Sequence, residues 1–250
     1  MTLPRFAASH VLRRIRQGAS SSPVVVETSG GSFVAKLRGA GHGVQALVAE
    51  LVVGALALTV GLPVPERALI DLVPEFTSDD KNDELADLLG RSVGLNVGFR
   101  WLDGARAPRP EDLARLDDDF VARVLWLDGL VQNLDRSRDN PNLLWWKGRP
   151  FLIDHGSALP FQYDWPRVTE TSPREPYAYA RHLFHDRIAL LPGIDAELAR
   201  RASRQALDAA LLEVPDELLT DATHEPAERA RAAYHAFLWK RLKEPRAFLA

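Results

Sequence analysis

The segment Asn133-Leu134-Asp135-Arg136-Ser137-Arg138-Asp139-Asn140-Pro141-Asn142, closely followed by Ile153-Asp154-His155-Gly156, constrains the fold more than any other part of this chain. Between the two halves lie β-prone runs, Leu143 to Trp146 and Pro150 to Ile153, separated by the turn signal Lys147-Gly148-Arg149. The pattern predicts a hairpin. With the turn centred on Gly148, Trp146 faces Pro150, Leu144 faces Leu152 and Asn142 faces Asp154, and directly opposite residues share a face with Cβ atoms roughly 5 Å apart. An amide oxygen and a carboxylate then converge, with a free carboxylate, Asp135, nearby. Hard oxygen ligands suit Mg²⁺, which takes one or two carboxylates and completes its shell with water and phosphate oxygens.

Glu50 is the second informative residue, because it is the only charged side chain between His42 and Glu66. On a helix its neighbours are Ala46, Leu47, Val53 and Gly54, and a carboxylate in such company needs a paired cation, since desolvation costs several kcal/mol. Lys36 is the nearest candidate. It closes the β-prone run Ser32 to Leu37, and an ion pair with Glu50 positions it for phosphates. Between the two, Gly39, Gly41 and Gly43 form a glycine-rich loop whose backbone N–H groups suit a phosphate, or which serves only as a mobile connection into the helix.

The remaining composition narrows the class. At 250 residues the chain can bury a substantial core, as one large domain or two lobes. It has no cysteine, which excludes disulfides, thiolate metal sites and cysteine nucleophiles. A net charge of −3 argues against sequence-independent nucleic-acid binding, and no helix-turn-helix is evident. Leu47 to Val60 is interrupted by Glu50 and too short to span a bilayer, and the first residues lack the apolar run of a secretory signal. These features lead us to expect a soluble cytoplasmic protein without a membrane span. Lysine occurs only at positions 36, 81, 147, 240 and 243, an arginine bias that fits a high-GC bacterial source.

Along the chain, Pro4 to Gln17 reads as a short amphipathic helix, with Arg13, Arg14 and Arg16 on its solvated face. Ser20 to Pro23 reads as a loop. Val24 to Thr28 and Ser32 to Leu37 flank Ser29-Gly30-Gly31 as a hairpin; Val44 to Val60 is a helix stopped by Gly61 and Pro63. Glu66 to Val73 and Ser92 to Trp101 are strand candidates separated by a charged segment, Ser78 to Asp87. Ala107 to Pro110 resembles a linker, and Asp117 to Leu134 is a long helix that delivers the chain to Asp135. On that helix Asp128 either orients the loop by hydrogen bonding or is a solvated carboxylate. After an irregular stretch from Pro160 to Pro176, helices run from about Tyr177 to Ala247, with breaks at Pro192-Gly193, Pro215 and Pro226.

A strand lysine, helix glutamate, loop aspartate, downstream asparagine and strand-end aspartate, in that order, look like the active site of the protein-kinase-like superfamily. More narrowly, Phe33-Val34-Ala35-Lys36, the Gly39 to Glu50 run, Gly61 to Pro65, Asn133-Leu134-Asp135-Arg136, Asn140-Pro141-Asn142 and Ile153-Asp154-His155-Gly156 resemble the HipA-like kinases. The Asn-x-Asp-Arg element is also similar to phosphoinositide kinases. The resemblance implies an α+β, two-lobed protein-kinase-like fold, with a strand-rich N-lobe at 1–102 and a helical C-lobe at 103–250. It implies ATP and Mg²⁺ as cofactors. Lys36 would contact the α- and β-phosphates and pair with Glu50, and Arg136 would join the glycines at the nucleotide. Asp135 would orient or deprotonate an acceptor hydroxyl, and Asp154 would hold Mg²⁺ with help from an asparagine. The family's five-residue offset selects Asn140 and the hairpin selects Asn142, so both are retained, with Asn142 ahead. His155, where protein kinases carry phenylalanine, reads as a packing or hydrogen-bonding residue.

The expected activity is therefore transfer of the ATP γ-phosphate to a hydroxyl. The HipA resemblance implies a protein serine or threonine and an antitoxin-like partner; the phosphoinositide-kinase similarity implies a lipid or small-molecule hydroxyl. A nucleotide-binding pseudokinase acting as an interaction module is the alternative, motivated by the absence of a clear ATP-covering glycine loop. A metal-dependent hydrolase comes third.

Overall fold

The computed structural model describes residues 2–15, 23–76, 78 and 83–249. Arg16, Gln17, all but Pro23 of the loop expected at Ser20 to Pro23, and residues 79–82 of the charged Ser78 to Asp87 segment lie outside that set. Seven strands and eight α-helices are found among the described residues. Five strands, β1 (Arg5–Arg14), β2 (Val24–Thr28), β3 (Gly31–Lys36), β4 (Arg67–Leu72) and β5 (Gly94–Arg100), close into a small barrel in the order β1-β2-β3-β5-β4. Helix α1 (Gly43–Thr59) joins β3 to β4, and α2 (Asp83–Gly90) joins β4 to β5.

Strand β1 corrects the helix expected at 4–17. It pairs antiparallel with β2 and parallel with β4, thereby closing the barrel. Two register shifts, between Ala8 and His10 and between Val11 and Arg13, disturb its alternation. Bulges of this kind erase the period-two pattern by which a strand is recognised in sequence. Arg13, expected on a solvated helix face, lies over the Trp101 ring, 4.0 Å from its centroid.

The expected hairpin at β2 and β3 forms, with Thr28 paired to Gly31. Inside the barrel Phe33, Ala35, Ile70 and Leu72 pack together with Val24 and Val26. A Cβ on Gly98 would lie 2.6 Å from Ile70, so only glycine fits where β5 crosses this interior. The opposite face of β4 and β5, with Leu69, Leu95, Val97 and Phe99, joins a second core that includes α1.

That second core continues into α4 (Asp118–Val131), α5 (Leu191–Arg201), α6 (Arg204–Leu212), α7 (Asp216–Thr223) and α8 (Ala227–Leu242). Helix α1 is consequently buried from Leu47 through Ala57, and Arg67 ties it to α6 by contacting the Leu51 carbonyl (2.8 Å) and Glu213 (2.7 Å). No amphipathic stripe could have been read from such a helix, because almost every side is covered.

The Ala107 to Pro110 segment leads into a short helix, α3 (Pro110–Ala114), and Arg106 bridges to Trp145. Helices were expected from about Tyr177, but residues up to Leu190 form short 3₁₀ turns and the first α-helix is α5. Pro192 lies in the first turn of α5 rather than breaking a helix; proline is tolerated there because that N–H has no intrahelical partner. Pro215 and Pro226 immediately precede α7 and α8, as expected. Among the described residues no helix is long and apolar enough to cross a membrane.

Candidate active site

Lys36 is the last residue of β3 and Glu50 lies in the middle of α1, while Asp154 follows the hairpin β6 (Leu143–Trp146) and β7 (Arg149–Leu152). The fold brings all three together. Lys36 Nζ stands 3.3 Å from Glu50 Oε1 and 2.7 Å from Asp154 Oδ1. Glu50 Oε2 accepts the His155 backbone N–H at 2.9 Å. Close approach of α1 to the Asp154 turn needs small residues: a Cβ on Gly156 would lie 3.2 Å from Ala46 Cβ and 3.7 Å from Glu50 Oε1.

One lysine thus serves two carboxylates. Burial opposes charge on Lys36, but Glu50 and Asp154 outweigh it and hold the ammonium above its usual pKa. Burial pushes the Glu50 carboxyl up to about 7, with Asp154 adding to the push, against Lys36 and the His155 N–H. Asp154 goes the other way: burial would raise it, but Lys36 holds it below the ordinary carboxylate value. One ammonium is thus shared by two carboxylates, and it is Glu50, the more deeply buried, that gives up part of its charge near neutrality.

The hairpin register differs from the expected one. Leu143 pairs with Leu152, Leu144 with Phe151, Trp145 with Pro150 and Trp146 with Arg149. The turn is two residues, Lys147 and Gly148, both with positive φ (47° and 76°). Turns of that kind match the twist of the flanking strands better than a three-residue turn centred on glycine. One residue of slip places Asn142 opposite Ile153, whose N–H donates to the Asn142 carbonyl (3.1 Å), rather than opposite Asp154. Asn142, where the chain enters the hairpin, and Asp154, where it leaves, both adopt positive φ (48° and 57°).

Both asparagines turn instead to Asp135. Asn140 Nδ2 donates to Asp135 Oδ1 at 3.1 Å, and Asn142 Nδ2 to Asp135 Oδ2 at 3.2 Å. An amide that donates through nitrogen keeps its oxygen for a cation. Among the described residues the hydrogen bonds join both asparagines to Asp135 and Asp154 to Lys36, with no direct bond between the asparagines and Asp154.

Of the two readings of the glycine loop, the hydrogen bonds favour a packed connection into the helix over an open cradle. The Gly39 N–H donates to Ser92 Oγ (3.2 Å) and the Gly43 N–H to the Ala40 carbonyl (2.8 Å), so two of the three donors are engaged internally. Gly39 is needed for packing, since a Cβ there would lie 2.9 Å from the Arg91 backbone. Gly41 stays exposed.

Arg136 also departs from its expected place at the nucleotide. It is buried, with Nε 2.6 Å from Asp128 Oδ2 and Nη1 donating to the Pro141 and Asn142 carbonyls at 3.2 and 2.7 Å. Its guanidinium closes the loop on itself. Asp128 is not solvated; it is fully buried and also receives Asn133 Nδ2 at 3.0 Å. Burial would raise its pKa, but Arg136 and His182 more than offset that and hold it well below the carboxylate range. His155 is fully buried with neither ring nitrogen hydrogen-bonded among the described residues, and burial lowers its pKa to about 3.

Sequence reasoning missed His182 and Tyr177, which reach this loop from more than forty residues downstream. No spacing signal could have found them, because their contacts depend on how an irregular segment folds back.

A buried lysine held between a helix carboxylate and a turn carboxylate is an arrangement also met in kinase-type phosphoryl transfer. A family model of the HipA-like kinases matches residues 8–229, and the chain belongs to that family. Among solved structures it is similar to the proinflammatory kinase CtkA of Helicobacter pylori, with a TM-score of 0.50 and 11% identity over 96% of this chain and 94% of that one. At such identity the likeness speaks for the fold alone. No curated protein matches the chain.

Proposed function

We propose that this chain is a Mg²⁺-dependent kinase that transfers the ATP γ-phosphate to a hydroxyl, with a protein serine or threonine as the acceptor. The observation that carries the reading is Lys36 Nζ lying within 3.3 Å of Glu50 and 2.7 Å of Asp154. We divide the molecule into two lobes, 1–102 and 103–250, with the nucleotide between them. Lys36, steadied by Glu50, offers its ammonium to the α- and β-phosphates. Asp154 and the amide oxygens of Asn142 and Asn140 would hold Mg²⁺, which when bound neutralises phosphate charge. Asp135, fixed by two asparagine amides, orients the acceptor hydroxyl and takes its proton. Phosphoryl transfer asks little covalent chemistry of the protein, so positioning and charge account for most of the rate.

The purified chain, incubated with labelled ATP and Mg²⁺ in a lysate, should label a protein hydroxyl that mass spectrometry can locate. Asp154→Ala should abolish Mg²⁺-dependent turnover, and Asp135→Ala should keep ATP binding while losing transfer. Unchanged transfer in both variants overturns the assignment.

A pseudokinase draws support from one observation, the engagement of both Asp135 oxygens by Asn140 and Asn142. Thermal stabilisation by Mg-ATP without any turnover would favour it.

A further inference from the structure

Residues 177–184 lie across the Asp135 loop and the end of α4. The Tyr177 hydroxyl donates to the Asn133 carbonyl, the Leu183 N–H to the Arg136 carbonyl at 2.9 Å, and the Tyr179 hydroxyl to the Leu125 carbonyl at 3.2 Å. The approach is so close that a Cβ on Gly129 would collide with the Tyr179 hydroxyl. Within this segment His182 is the one residue whose side chain reaches Asp128, with Nε2 2.9 Å from Oδ2.

The tautomer follows from the partners. His182 Nδ1 accepts the Phe184 N–H at 3.1 Å, so the ring proton sits on Nε2 and is donated to Asp128. A neutral His182 also leaves the buried Asp128 and Arg136 balanced, one anion to one cation. Asp128 then receives donors from Asn133, Arg136 and His182 at once. Asn133 and Arg136 flank Asp135, and Asn133 Oδ1 accepts the Asp135 N–H at 3.2 Å.

We propose that His182 is a positioning residue for phosphoryl transfer: through Asp128 it sets Asn133 and Arg136, and through them the orientation of Asp135. It touches neither nucleotide nor acceptor. The proposal rests on the kinase reading above. Without the Nε2 donor, Asp128 loses one of its three partners and the loop gains freedom about Asp135, while Lys36, Glu50 and Asp154 keep their arrangement. A small misplacement of a catalytic group is enough to slow chemistry strongly.

Mg-ATP turnover to ADP by the full-length chain separates the possibilities. His182→Leu should lower kcat about tenfold or more, with KM for ATP within about twofold of wild type, because it leaves the phosphate-contacting lysine alone. His182→Gln, whose amide nitrogen can replace the Nε2 donor, should recover most of kcat, even at a lower melting temperature than wild type. A wild-type kcat in a folded His182→Leu variant overturns the proposal, as does equal loss in the Gln and Leu variants. If His182→Leu does not fold, the kcat of His182→Gln against that of His182→Asn, whose shorter amide falls short of Asp128, decides: Gln well above Asn supports the proposal, and parity overturns it. An inactive wild-type chain sinks the kinase reading itself and this proposal with it, a failure distinct from an active wild type with insensitive variants.

Discussion

Two buried charge clusters lie close together in this molecule and are built on opposite principles. Around Asp128 one carboxylate meets Arg136, Asn133 and a neutral imidazole, so that both of its oxygens are engaged and charge is balanced. Around Lys36 one ammonium is shared by two carboxylates. The first pushes its carboxyl far down in pKa and the second pushes Glu50 up to about 7. The saturated cluster is a joint that holds a loop; the unsaturated one leaves two carboxylates sharing a single ammonium, and leaving it underpaired costs stability in the protein alone.

Removing the cation from each cluster should expose the difference most strongly. Arg136→Met strands Asp128 with no exposed surface, and breaking a buried pair from one side typically costs about 3–5 kcal/mol, to be read by urea unfolding at pH 7. Lys36→Met should cost less, about 1–3 kcal/mol, because Glu50 can take up a proton near neutrality and the Asp154 side chain retains 29% exposure. If the two losses are equal, the distinction between saturated and unsaturated clusters fails.

The smallest effect concerns His155. Its pKa falls to about 3 in the fold from an ordinary 6.5, so the unfolded chain binds a proton that the native one refuses. Stability therefore drops as pH falls through that window, by about 2 kcal/mol at pH 5. His155→Phe should flatten this acid limb by up to one proton, measured as the slope of unfolding free energy against pH. An unchanged slope would show that the imidazole is paired or solvated in the native protein.

Much of the site was readable before the fold. An isolated Glu50 in an apolar helix demanded a cation, and Lys36 on the preceding strand was the nearest one available. Asp135, Asn140, Asn142 and Asp154 announced themselves by chemical type within one short stretch. What failed was register and direction. The hairpin slipped by one residue because a two-residue turn with two positive φ values suits strand twist, and the asparagines turned to Asp135. Arg136, which the resemblance placed at the nucleotide, became the core of its own loop. Strand β1 looked helical because its bulges hide the alternation.

Local sequence by itself determined the residue types of the site, the helix bearing Glu50 and the family of the chain, because those rest on short-range pattern and on side-chain chemistry. Only the tertiary structure decided which donor met which carboxylate. Whether a buried charge is balanced or left wanting depends on residues as distant as Lys36 and Asp154, or Asp128 and His182, and no periodicity along a chain encodes the meeting of groups brought together by the folding back of an irregular segment.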